Sequence, residues 1–170
     1  MFQMLKKKLK DQRGLTLIEL LAVIVILGII SAIAIPSILG LIDNSKKDSV
    51  VANAQQMINS AKLAVAGDEV LRPNLTDQEK YVNLKFLEEE GYLEPLKDVD
   101  DTSKFYSEGQ NSNKNNLTTP PNKGSFVKIE YDSSNPKSYK YSVVLLGKEK
   151  SIGKKTSPEA ESNLKRSIVK

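Results

Sequence analysis

Cysteine, histidine and tryptophan are all absent from this chain of 170 residues. Without cysteine the protein has no disulfide, no thiol nucleophile and no thiolate ligand for a metal ion. Without histidine it lacks the commonest general base and the commonest metal ligand of proteins. The neighbouring acids Asp68–Glu69 and Asp100–Asp101 are candidate pairs of carboxylates, but adjacent acids at a helix end or in a loop are usually solvated. We therefore expect no enzymatic activity, no cofactor and no metal site.

Excess charge is also lacking once the first 14 residues are set aside. The formal net charge is +4, and residues 1–14 supply all of it through five cations and one acid, Asp11. The rest of the chain holds 20 basic and 20 acidic side chains. The overall charge therefore does not indicate a nucleic-acid-binding protein.

Charged side chains are nearly missing from the long apolar run Leu15–Ile42, where Glu19 is the single exception. As a helix, these 28 residues would extend about 42 Å, more than the roughly 30 Å of a bilayer hydrocarbon core. The basic block before the run predicts that the N-terminus stays on the cytoplasmic side. The run is therefore expected to span a membrane.

Three other interpretations of this run compete: a plain signal anchor, a buried helix of a soluble protein, and a secretory signal cleaved after Ala32-Ile33-Ala34. A single domain of this size rarely surrounds so long an apolar helix. The cleaved signal has the required charge, apolar region and small residues, but the apolar sequence continues to Ile42 and Pro36 follows the site closely. None of the three explains Glu19, because an acid in a membrane-length apolar run is costly and usually functional.

Gly14 followed by Leu15-Thr16-Leu17-Ile18-Glu19 closely resembles the class III signal of type IV prepilins and pseudopilins. The resemblance implies that a prepilin peptidase cuts after Gly14 and methylates the new amino terminus at Leu15, so that residues 1–14 are a cleaved leader. Gly28 and Pro36 also lie at the spacing common in this family. Leu15 departs mildly from the usual phenylalanine. The resemblance covers about residues 13–42.

Cleavage after Gly14 would give Glu19 a specific role. Cleavage would create an ammonium at Leu15, four residues away, which the carboxylate can meet in its own helix or on the next subunit. At an effective dielectric near 20, such a pair 4 Å apart is worth roughly 4 kcal/mol. In the family this contact is thought to select incoming subunits. The alternative is that Glu19 lies at the headgroup boundary and only snorkels there.

One continuous helix is predicted from Leu15 to about Ala66, with residues 15–42 as the membrane or filament-core half and residues 43–66 as an amphipathic half. Gly67 is expected to follow the helix as its C′ residue. Gly28 and Pro36 weaken the helix, so the segment between them is expected to bend or open. The apolar stripe of the second half consists of Val50, Ala54, Met57, Ile58, Ala61 and Val65.

The remaining residues, 67–170, are expected to form a globular head. Strands Phe126–Tyr131 and Tyr139–Leu146 read as a hairpin, with a weak third strand within 148–153. Thr76 and Glu79 have capping-box spacing. The segment from Tyr81 to Leu93, which resembles the connecting segment of Gram-positive pilins, contains a short helix over residues 84–90 before Gly91. A long surface loop is expected over 102–124, and a helix from Pro158 to about Ile168. The predicted fold is α+β: a long N-terminal helix packed on a small antiparallel β-sheet.

The resemblance implies a structural subunit of a type IV pilus, a surface filament for adhesion, motility or biofilm. The alternative is a pseudopilin of a DNA-uptake or type II-like secretion apparatus. Either would be a homo-oligomer in a helical filament, reached from the membrane through prepilin peptidase, a platform protein and an assembly ATPase. Seven basic residues in the tail 148–170, with Lys123, Lys128, Lys137 and Lys140 near the hairpin, leave two alternatives: a solvated surface, or a site for DNA or an anionic surface.

Overall fold

A computed structural model describes residues 17–109, 117–135 and 138–170. Within it the chain divides into two compact units, Met1–Asp43 and Asn44–Lys170. The first unit, as far as it is described, is helix alone, and the second holds all of the β-structure. The predicted α+β architecture, a long N-terminal helix and a small antiparallel sheet, is confirmed.

Helix α1 runs over Leu17–Gly67 and includes Pro36. Gly67 is the last helical residue and its φ is not positive, so its prediction as the C′ residue after the helix is wrong. The reason lies in Arg72, whose guanidinium donates to the terminal carbonyls of Val65 at 3.0 Å and Ala66 at 2.9 Å. Because a side chain satisfies these carbonyls, the helix ends without a left-handed glycine.

The sheet contains five antiparallel strands. They are β1 (Glu79–Asn83), β2 (Phe126–Tyr131), β3 (Tyr139–Leu146), β4 (Ser151–Ile152) and β5 (Glu159–Ala160). The order is β1-β2-β3-β4, and β5 also pairs with β3. The predicted hairpin is confirmed as β2 and β3, with Lys128 opposite Ser142. The weak third strand is reduced to the two residues of β4.

The region before the hairpin differs from the prediction in one respect. Glu79 begins β1 and does not close a capping box. The local turn is stabilised instead by the side chain of Asn74, whose Oδ1 accepts from the backbone N–H groups of Thr76 and Asp77, both at 2.8 Å. The short helix is confirmed as α2, Leu84–Glu89. Its N-cap is Asn83, whose side chain accepts from Phe86 N at 2.7 Å.

The predicted C-terminal helix is wrong. The chain from Pro158 onward forms β5 and then two 3-10 helices, Glu161–Asn163 and Arg166–Ile168. Long-range backbone pairing prevails over the local helix signal: Glu159 lies opposite Val143 on β3, and Lys170 exchanges two backbone hydrogen bonds with Ser151. The tail is therefore part of the sheet.

The core of the second unit lies between the sheet and α1. The predicted helix stripe is buried, with exposures of 0 to 4 % at Val50, Ala54, Met57, Ile58, Ala61 and Val65. Alternate strand residues such as Val82, Ile129 and Val143 pack on it. The expected surface loop contributes too, because Tyr106 and Leu117 are buried in this core; residues 110–116 lie outside the described residues. The hydroxyl of Tyr106 accepts from the Asn53 amide at 3.3 Å.

Candidate functional site

The apolar half of α1 is the principal candidate site. Every large apolar residue from Leu17 to Ile42 is exposed, with fractions between 46 and 82 %. The helix is long and apolar enough to cross a membrane, and its most apolar stretch has no buried residue. A soluble-core helix of this composition would be covered by its own domain. Residues 17–42 therefore require lipid or other protein chains as their surroundings.

Glu19 lies in the first turn of α1. It is the sole ionisable side chain between Leu17 and Ile42, so it gives an otherwise uniform apolar surface one polar position. Such a position can pair with one specific cation and is costly beside apolar groups alone.

The other predicted site residues have different outcomes. Gly14 and Leu15 lie outside the described residues, so the cleavage site, the methylated amino terminus and the pairing of Leu15 with Glu19 stay predictions. Gly28 and Pro36 both lie inside the continuous helix. A Cβ at Gly28 would meet nothing within 4 Å, so no neighbour in the chain requires a glycine there. The bend between them also stays a prediction.

A family model for the prokaryotic N-terminal methylation motif matches residues 9–35. This chain carries that motif. It is the class III signal peptide of type IV pilins, and it supports a pilin-like or pseudopilin protein that is processed by prepilin peptidase and assembled by pilus-like machinery. The match includes Gly14, Leu15, Glu19 and Gly28 and ends one residue before Pro36. No curated protein and no solved structure matched the chain.

The second unit contains the lysines and the arginine that were considered as a site for DNA or an anionic surface. Five of the eleven proposed cations there are paired with acids of the same unit. Lys128 lies 2.8 Å from Glu79 and 2.9 Å from Glu130. Further pairs are Lys140–Asp132, Lys148–Asp101, Lys150–Asp100 and Arg166–Asp48. Lys137 lies outside the described residues. Internal pairing neutralises half of the described cations and lowers the positive charge available to bind phosphate. The solvated surface and the anion-binding site both stay predictions.

The carboxylate of Asp100, which the sequence analysis expected to be solvated, is buried. The side chain of Asp100 is 1 % exposed and accepts from Lys150 Nζ at 3.1 Å, Lys46 Nζ at 3.2 Å and Lys150 N at 3.0 Å. Burial by itself raises the pKa of Asp100, but the bonds from Lys150 and then Lys46 outweigh it and hold the pKa below its usual value. Asp98 beside it is also buried and accepts from Lys148 N at 2.6 Å.

Two other acids of the predicted pairs, Asp68 and Asp101, also have hydrogen-bond partners. Asp68 accepts from Val70 N at 3.0 Å and caps a 3-10 helix that begins at Glu69. Asp101 accepts from the backbone and hydroxyl of Ser103. The run Asp98-Val99-Asp100-Asp101 shows in the sequence that three acids lie close together. No local sequence pattern identifies the lysines that neutralise their charge.

Proposed function

We propose that this chain is a structural subunit of a type IV pilus, without a catalytic role, that is assembled from the membrane through residues 15–42. The observation that carries the proposal is the exposed apolar half of α1, which has a single acid, Glu19. Complete burial of one large aliphatic side chain is worth about 1.5–3 kcal/mol relative to water, so outside the membrane these helices are stable only when packed against one another in a filament.

Before assembly, the apolar half holds the subunit in the cell membrane with its N-terminus in the cytoplasm. Prepilin peptidase removes residues 1–14 and methylates Leu15. The platform protein and assembly ATPase then transfer the subunit into a helical homo-oligomer at the cell surface. Gly28 and Pro36 give the helix between them its capacity to bend during this transfer.

Glu19 selects the position of the incoming subunit. Its carboxylate pairs with the ammonium of Leu15 on a neighbour, and a pair 4 Å apart is worth roughly 4 kcal/mol at an effective dielectric of 20. An uncompensated charge among apolar helices costs several kcal/mol. The pair therefore rewards one register of neighbouring helices and penalises the others.

The first test compares Glu19→Ala and Glu19→Asp with wild type and with Glu94→Ala, which removes an exposed acid of the second unit. Membrane and sheared-surface fractions are blotted, and the N-terminal peptide is identified by mass spectrometry. We expect a methylated Leu15 terminus in every variant. Surface filament should collapse for Glu19→Ala, fall partly for Glu19→Asp, whose reach is one methylene shorter, and stay normal for the control.

Two results would contradict the proposal. A mature chain that begins at Ile35, or an intact Met1, excludes the class III processing. Wild-type amounts of filament from Glu19→Ala would show that Glu19 is only an interfacial residue. The share of this chain in purified filaments separates the two related roles: a dominant share indicates the pilus subunit, whereas a trace share indicates a pseudopilin of DNA uptake or secretion.

A further inference from the structure

The first residues of α1 in the second unit differ from those that follow. We call residues 44–49 the boundary segment. None of its side chains is buried, and Val50 is the first buried residue of the helix. Apolar packing therefore fixes α1 to the sheet from Val50 onward and contributes little before it.

Two ion pairs hold the boundary segment to parts of the chain that are distant in sequence. Arg166 Nε lies 2.7 Å from Asp48 Oδ1, and its second nitrogen bonds the other carboxylate oxygen. Lys46 Nζ lies 3.2 Å from Asp100 Oδ1. The bidentate geometry of the first pair and the burial of Asp100 in the second make both pairs directional.

The backbone that carries Arg166 and the carboxylate of Asp100 are themselves held in the fold. Arg166 begins a 3-10 helix and is followed by buried Val169. The carboxylate of Asp100 also accepts hydrogen bonds from the backbone N–H and the ammonium of Lys150. A rigid partner loses less conformational entropy when the pair forms, so each pair acts on the boundary segment and not on a mobile loop.

The boundary segment has little helix stability of its own. Asn44 and Ser45 are weak helix formers. The hydroxyl of Ser49 donates to the carbonyl of Ser45 at 3.0 Å, a contact that slightly destabilises helices. With neither apolar burial nor strong propensity, the segment depends on its side-chain pairs.

We propose that the boundary segment is an electrostatic latch. With both pairs formed it is helical and fixed to the sheet; when they are screened or removed, it detaches, while the helix from Val50 stays packed. The latch sets how much chain the head leaves free, because six more residues add about 9 Å of helix or about 20 Å of extended chain. This device is independent of the filament role and holds for a membrane-bound subunit alone.

Hydrogen exchange of the full chain in lipid nanodiscs tests the latch. The amides of Ser49 and Val50 donate within the boundary segment, and those of Met57 and Ile58 report the packed helix. Raising sodium chloride from about 20 mM to about 0.5 M shortens the screening length to a few Å. We expect exchange at Ser49 and Val50 to accelerate about three- to tenfold, as the loss of surface-type pairs implies, with no change at Met57 and Ile58.

A double variant, Lys46→Gln with Arg166→Gln, should exchange at Ser49 and Val50 at low salt nearly as fast as wild type does at high salt, and added salt should accelerate this exchange less than it does in wild type. Arg166→Lys, which keeps the charge without the bidentate geometry, should be intermediate. The matched control Lys85→Gln removes an ion pair with Glu89 on α2 and should leave exchange in α1 unchanged. Salt-independent exchange in wild type, or equal acceleration at Ile58 in the double variant, would overturn the latch.

Discussion

Residues 17–43 and 44–67 belong to one α-helix but have opposite surroundings. The first stretch exposes every large apolar side chain, whereas the second buries a stripe from Val50 to Val65 against the sheet. The difference follows from the arrangement of apolar residues and not from their presence. The first stretch is apolar on all sides, which is typical of a helix that other chains or lipid must surround. The second has one apolar face, and its own chain supplies the partner.

The largest predicted difference between the two stretches appears when one aliphatic side chain is shortened in each environment. Ile58→Ala removes atoms from a fully buried site and should lower the free energy of unfolding by about 2–5 kcal/mol. Leu63→Ala, on the same helix but 61 % exposed, should change it by less than about 0.5 kcal/mol. Ile24→Ala, 64 % exposed, should also leave it unchanged.

Tyrosine fluorescence during denaturation of the purified chain in detergent measures this effect. All six tyrosines lie between residues 81 and 141, so the signal reports the second unit alone. If Ile24→Ala and Ile58→Ala lowered the free energy of unfolding equally, the stability of the second unit would depend on the apolar half of α1. The contrast between the two stretches would then be lost.

The contrast also explains which elements the sequence predicts. Periodicity over many residues identifies α1, and alternation with a turn identifies the hairpin, because both signals are local. Strand β1 was missed because its sequence does not alternate: the adjacent residues Tyr81 and Val82 are both buried. Their pairing partners, Lys128 and Val127, lie far along the chain. At the tail, backbone pairing with β3 prevails over the local helix signal that begins at Pro158.

The same limit holds for the candidate site. The methylation motif is a continuous stretch with fixed spacing, so Gly14, Leu15 and Glu19 are readable in the sequence. The pair Asp48–Arg166 joins residues separated by 118 positions and has no local pattern. A sequence shows that a carboxylate and a guanidinium exist, but only tertiary structure brings them together.

Glycines allow a second comparison of the two regions. Gly124 has φ +91° and a Cβ there would lie 2.2 Å from the backbone of Gly109. In Gly124→Ala, backbone strain of about 1–3 kcal/mol and overpacking of about 1–3 kcal/mol should both destabilise the second unit. Gly28→Ala meets open space within a helix and should leave the same unfolding signal unchanged. A folded, fully stable Gly124→Ala protein would show that the two loop ends separate easily.

The smallest expected effect is the loss of folding stability when the Asp100 carboxylate is protonated at low pH. Its pKa in the folded state lies below the value of 3.8 for a free aspartate, since two lysines prevail over the effect of burial. A lowered pKa means that the ionised form is favoured by folding. The stabilisation is therefore complete above pH 3.8 and is lost as the pH falls through the folded pKa.

Asp100→Asn should consequently cost about 1–3 kcal/mol at neutral pH, because it leaves two lysines without their shared carboxylate. The difference from wild type should shrink as the pH falls below 3.8, where wild type loses the same charge by protonation. Glu94→Gln, at an exposed position without such contacts, should follow wild type at every pH. Denaturation midpoints measured from pH 7 to pH 2.5 distinguish these cases. A constant difference across that range would mean that Asp100 acts through its shape and hydrogen bonds, not through its charge, and the ionic hold of Lys46 on the boundary segment would fail with it.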